Sequence, residues 1–172
     1  MNARASLKAA TQPLHDRLDA HFSGYDLGDE AQYRAFLLAH AAAFLPIEQA
    51  LDEAGASRLW PEWTAMRRSE ALVADLAELG ADVPPAMAVP TFASDAEIAG
   101  ATYVLEGSRL GGKLLDRTVG THLPRRFLSH RSPLAWRDFV AQLERFMPSS
   151  VERTRAATAA ASVFGCFLDA AD

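Results

Sequence analysis

The chain has 172 residues, enough for one ordinary domain, and a hydrophobic content of 49% supplies a core without requiring a partner subunit. A net charge of -5, with no cluster of Lys and Arg of the kind that phosphate recognition needs, excludes nonspecific nucleic-acid binding as a primary role. One cysteine, Cys166, excludes an intrachain disulfide and any zinc site built from several thiolates; the polar N-terminus and the lack of a membrane-length apolar run lead to the expectation of a cytoplasmic protein with no membrane anchor.

In chain order, residues 4–22 read as a first helix, with Leu7, Leu14 and Leu18 on one apolar stripe and Lys8, Thr11 and His15 on an adjacent one. Pro13 removes a backbone donor inside this pattern, so the helix is expected either to kink there or to begin near Thr11. A second helix over 30–54 follows Asp29 as its cap, places Tyr33, Phe36, Leu37, His40, Phe44 and Leu51 at helical spacing, and should bend at Pro46. A third, over 67–79, carries Leu72, Val73, Leu76 and Leu79 and stops at Gly80. The proline-rich residues 83–90 read as a surface connection, after which Ser94-Asp-Ala-Glu97 has the pattern of a capping box and starts a helix running to about residue 119. Residues 120–133 read as turns or short helical pieces, and helices over 134–145 and 149–170 finish the chain. No segment alternates long enough to build a sheet, so the fold class is all-α, in a single domain spanning 1–172.

The helix after Ser94 is odd in composition. A glycine inside a helix costs about 1 kcal/mol relative to alanine, yet a chain that uses alanine freely places Gly107, Gly111 and Gly112 there. Gly100, Gly107 and Gly111 project toward a similar face, Tyr103 is nearby, and Gly112 permits further bending. Two readings fit: close helix packing through Gly107-x-x-x-Gly111, or a backbone left bare for something flat or bulky. His15 also has two readings, a half-buried structural imidazole or an axial metal ligand, and Lys8 lies two turns earlier on the same face, where it can reach a carboxylate of the same bound group. His40, on the apolar stripe of its helix, reads as a core imidazole; His21, His122 and His130 read as surface or helix-end groups. Trp60, Trp63 and Trp136 read as packing or surface-anchor residues, and Cys166 as a small buried hydrophobe.

The segments Leu7-Lys-Ala-Ala-Thr-Gln-Pro-Leu-His15 and Tyr103-Val-Leu-Glu-Gly-Ser-Arg-Leu-Gly-Gly112 together resemble the proximal and distal helices of heme oxygenases. Lys8-x-x-Thr11-x-x-x-His15 is similar to the pattern around the proximal iron ligand of that family. The second segment resembles the distal helix of the heme oxygenases associated with bacterial phytochromes, with Arg109 at the variable position, and the likeness covers most of residues 7–118. The resemblance implies a multi-helical fold with heme held between the proximal helix and a glycine-kinked distal helix, and His15 as the iron ligand. It further implies Lys8, Thr11, Tyr103, Arg109 and Arg137 as heme contacts, and Gly107, Ser108, Gly111 and Gly112 as the segment beside the reacting oxygen. The implied activity is oxidative cleavage of heme, at once substrate and cofactor, to biliverdin, carbon monoxide and ferrous iron. Oxygen and an external reductase or ferredoxin would supply that reaction, and a bacteriophytochrome would be a recipient of the pigment. Ser108 stands where many family members carry an aspartate, which keeps a non-catalytic heme carrier or sensor as the alternative and a heme-free helical scaffold as a third reading.

Overall fold

The computed structural model describes residues 1–172 and contains helices connected by loops, with no strand. They are α1 (Ala3–Phe22), α2 (Glu30–Ala54), α3 (Ala56–Leu59), α4 (Trp63–Met66), α5 (Ser69–Glu78), α6 (Asp95–Asp116), α7 (Arg126–Ser129), α8 (Trp136–Phe146) and α9 (Ser150–Ala171). The all-α expectation holds, and the short α3 and α4 are additions that no periodicity announced, since a four-residue helix spans little more than one turn.

Local chemistry sets most of the boundaries. The side chains of Asn2, Asp29, Ser94 and Ser149 accept hydrogen bonds from backbone N–H groups at the starts of α1, α2, α6 and α9. Ser149 and Glu152 make a full reciprocal capping box, whereas the Glu97 carboxylate accepts from Ala93 N, one residue outside the Ser94 cap. Gly80 takes φ +68° just beyond α5; its N–H donates to Ala77 O while Ala81 N donates to Leu76 O, the paired bonds of a Schellman ending.

Elsewhere tertiary contacts override the sequence pattern. α1 runs through Pro13 and begins at Ala3, not near Thr11, because its first turns are tied down: Ala3 and Leu7 are fully buried and Ala3 N donates to Glu144 Oε1 of α8 at 2.5 Å. α5 starts at Ser69, not residue 67, because its cap comes from another helix. The buried Glu48 carboxylate of α2 accepts from Arg68 N at 2.8 Å, from Ser69 N at 3.0 Å and from Ser69 Oγ.

The central helix is α9, against which α1, α2 and α6 all pack, and α1 and α6 are thereby held on a common support without packing closely on each other. Gly100 explains how α6 reaches α9: a Cβ there would lie 2.1 Å from Ala156 O. Gly100 is thus a packing glycine and is separated in role from Gly107 and Gly111, although all three share a stripe. Gly107 lies about 10 Å further along the helix axis, where α6 borders a cavity.

Candidate functional site

The space between α1 and α6 is a cavity of about 380 Å³. α1 contributes Arg4, Lys8, Thr11 and His15, and α6 contributes Tyr103, Gly107, Ser108, Gly111 and Gly112. Aromatic side chains from α2, α7 and α9, including Phe36, Phe44, Phe127 and Phe167, form its inner wall. The result is a mostly apolar slot with cations on α1 near its mouth, a shape suited to a large apolar ligand carrying negatively charged groups.

His15 is about half exposed on α1, and its Nδ1 lies 3.2 Å from Asp19 Oδ2 one turn on. A carboxylate at that distance favours a proton on Nδ1 and leaves the Nε2 lone pair available to a metal. Its ring meets Phe164 edge-on at 6.1 Å between centroids. Thr11 is buried and donates its hydroxyl to Leu7 O at 2.8 Å, so it lines the cavity with its own hydrogen satisfied within the helix.

Across the slot the glycines differ. A Cβ at Gly111 would meet no atom within 4 Å, one at Gly107 would touch Trp136 Cη2 at 3.5 Å, and one at Gly112 would touch Leu128 at 3.7 Å. Gly111 therefore faces open space, while Gly107 and Gly112 sit in ordinary contact with neighbouring side chains. Tyr103, whose phenol is pushed above its ordinary value mainly by burial, lies with its ring 5.7 Å from that of Trp136.

Ser108 is not a free polar group. Its hydroxyl donates to Leu105 O at 2.6 Å and accepts from Arg68 Nη2 at 2.9 Å. Arg68, which precedes α5, is 4% exposed, has its guanidinium 4.8 Å from the Phe44 ring and 5.2 Å from the Phe127 ring, and leaves its buried Nε without a hydrogen-bond partner. Burial first, then the neighbouring Arg109, pulls its pKa down to about 9, so it is still a cation at neutral pH. Arg68 is a cavity-lining residue that sequence reasoning missed. In the pair Arg67-Arg68 nothing in the pattern says which one turns inward; the fold sends Arg67 outward to Asp52 at 2.9 Å.

His40, expected in the core, also lines the cavity. Its Nδ1 is 2.9 Å from Phe36 O and must donate there, which leaves Nε2 unprotonated, and burial holds its pKa at about 4. Its ring lies 4.2 Å from that of Phe36 and 4.4 Å from that of Phe22.

Two residues expected at the site are placed elsewhere. Arg109 projects from the other side of α6, is 8% exposed, and is paired with Glu106 at 3.0 Å. The helical turn that presents Gly107, Ser108 and Gly111 to the cavity carries residues 106 and 109 away from it. Arg137 is 91% exposed, beside Asp138 at 3.4 Å, and does not line the cavity.

No family model matches the sequence. The chain is 31% identical to a heme oxygenase of Xanthomonas campestris pv. campestris (strain 8004) over 146 residues, covering 81% of this chain and 88% of that protein. The fold matches a crystal structure of the heme oxygenase from Neisseria meningitidis, studied in NO- and CO-bound forms, with a TM-score of 0.83 at 22% identity over 99% of this chain and 90% of that one. By sequence likeness over most of its length, in a fold whose cavity separates a histidine-bearing helix from a glycine-bearing one, this chain belongs to the heme oxygenase family.

Proposed function

We propose that the protein binds heme in the slot between α1 and α6 and opens the macrocycle to biliverdin, carbon monoxide and ferrous iron. The observation that carries this reading is the pairing of opposite walls: His15 on α1, its Nδ1 beside Asp19, and Gly111 on α6, where a Cβ would meet nothing. Heme supplies an iron that activates oxygen once electrons arrive from outside, so the protein has to bind, orient and shield it.

The residues present fit that group. His15 would offer Nε2 as the iron ligand, and the Asp19 carboxylate, 3.2 Å from Nδ1, sets negative charge beside the imidazole that would strengthen it as a donor. Arg4 and Lys8, one turn apart on α1 and both lining the cavity, would be the cations that pair with the heme propionates. The phenylalanines of the inner wall exclude water from the rest of the ring. On the α6 side Arg68 provides a buried cation whose Nε has no hydrogen-bond partner, and it holds the Ser108 hydroxyl in place. Where the family resemblance leads one to expect an aspartate this chain has Ser108, and the fixed charge beside it is that of Arg68, a cation that would suit negative charge developing on a bound ligand's oxygen.

Electrons come from a reductase or ferredoxin, and a bacteriophytochrome is the proposed recipient of the pigment. The test is reconstitution with hemin, oxygen and a reductase, followed by chromatography. Loss of the Soret band with formation of one biliverdin isomer, unaffected by catalase, supports the reading; catalase-sensitive mixed isomers or an intact ring refute it. The second reading, a heme carrier or sensor, is favoured by one observation, that the Ser108 hydroxyl commits its one hydrogen to Leu105 O, and it predicts redox cycling without ring opening.

A further inference from the structure

Behind the glycine segment of α6, on the side away from the cavity, lies a buried polar cluster. The Arg109 Nε donates to both oxygens of Glu106 at 3.0 Å. Its Nη1 approaches His130 Nδ1 at 2.8 Å and donates to His130 O at 3.2 Å, and its Nη2 donates to Met66 O. Arg109 and Glu106 are 8% and 6% exposed. One guanidinium therefore joins α6 to the last residue of α4 and to the residue that ends α7.

The cluster has no ligand of its own to bind, since every Arg109 nitrogen is occupied, and a buried ion pair is poor value as a source of stability alone. Its bonds are directional, though, and they attach at the residues that bracket Gly107 and Ser108. Glycine weakens a helix where it stands, so the stretch from Gly107 to Gly112 needs an external brace to keep a fixed height over the cavity. Met66 is two residues from Arg68, so the same brace also ties α6 to the arginine that holds Ser108.

We propose that Arg109 is a positioning residue for the reaction. By fastening α6 to Met66 and His130 it fixes the Gly107–Gly111 segment over the macrocycle and so selects which meso edge is attacked. This rests on the functional reading above, and its test carries an arm that does not. Arg109→Met alone would strand a buried carboxylate, so the primary variant is the double substitution Glu106→Met with Arg109→Met, which removes both charges together. His130→Leu is the milder companion, and His130→Asn returns an acceptor close to the position of Nδ1.

In the heme-free protein, hydrogen exchange of the amides over residues 105–112 should rise at least tenfold in the double variant and in His130→Leu. The start of α6, over 95–101, should stay at the wild-type rate. With hemin bound to within twofold of wild-type affinity, both variants should yield a broadened mixture of biliverdin isomers, and His130→Asn should restore the wild-type ratio. Wild-type exchange over 105–112, a rise shared equally by all helices, or an unchanged isomer ratio in the folded variants each overturns the proposal. A wild-type protein that makes no biliverdin refutes the functional reading instead, and the exchange measurement still judges the brace.

Discussion

Two glycines on one stripe of α6 should respond in opposite ways to the same substitution. At Gly111 an added Cβ meets nothing within 4 Å, so Gly111→Ala gains helix propensity with no steric cost. That gain is about 1 kcal/mol. At Gly100 the added atom would sit 2.1 Å from Ala156 O, a backbone atom of the helix on which the fold is built, so α6 and α9 must separate. Overpacking of this severity costs about 3 kcal/mol, and the propensity gain returns about 1, leaving a net loss of about 2 kcal/mol. For a domain of this size each kcal/mol moves the melting temperature by about 2–4 °C. Thermal unfolding of the heme-free protein should therefore show Gly111→Ala melting about 2–4 °C higher and Gly100→Ala about 4–8 °C lower than wild type. Gly111→Leu completes the experiment: its side chain enters the slot, so hemin affinity from Soret titration should fall at least tenfold, about 1.4 kcal/mol, with helical content unchanged. A Gly111→Ala protein destabilised like Gly100→Ala, or a Gly111→Leu protein that binds hemin normally, would refute the assignment of one glycine to packing and the other to the ligand.

Other expectations follow from the same geometry. His15→Ala should keep the apo melting temperature within about 2 °C, since a half-exposed side chain carries little stability, while abolishing the axial-imidazole spectrum and turnover; added imidazole should partly restore both. Retention of that spectrum in His15→Ala and its loss in His40→Leu would transfer the ligand role to His40. Burial holds the His40 pKa near 4 against an ordinary 6.5, so the unfolded chain takes up this proton first as pH falls. The stability it contributes is present above pH 6.5 and is lost between 6.5 and 4, on the order of 3 kcal/mol; urea denaturation should show a smaller acid-side loss in His40→Leu than in wild type, and equal losses would contradict the buried neutral imidazole. Asp75, fully buried, accepts from Phe127 N at 2.9 Å, from Arg126 N at 3.2 Å and from Arg126 Nη1 at 3.1 Å, and so caps α7 from α5. Asp75→Ala should lower stability by about 3 kcal/mol, seen as a reduced urea midpoint at an unchanged m-value.

What the sequence by itself determined was the set of long helices and the two segments that form opposite walls of the slot. Helical periodicity, Asp29 and Ser94 as caps and Gly80 as a stop are all local signals, because the hydrogen bonds behind them join residues within a turn or two of each other. The oddity of glycine in a helix was also legible, since its cost is paid locally. Tertiary structure alone decided what each glycine is for: Gly100 and Gly111 look alike along the chain, and only the position of Ala156 O makes the first a contact and the second a gap. It alone turned Arg68 inward and Arg67 outward, supplied the cap of α5 from Glu48, and carried α1 through Pro13 by burying Ala3 and Leu7. Arg109 shows the reason most clearly. Its place in the glycine motif put it beside the site, but a helix turns about 100° per residue, so Arg109 stands about 200° around the axis from Gly107, and its partners Met66 and His130 come from 43 and 21 residues away.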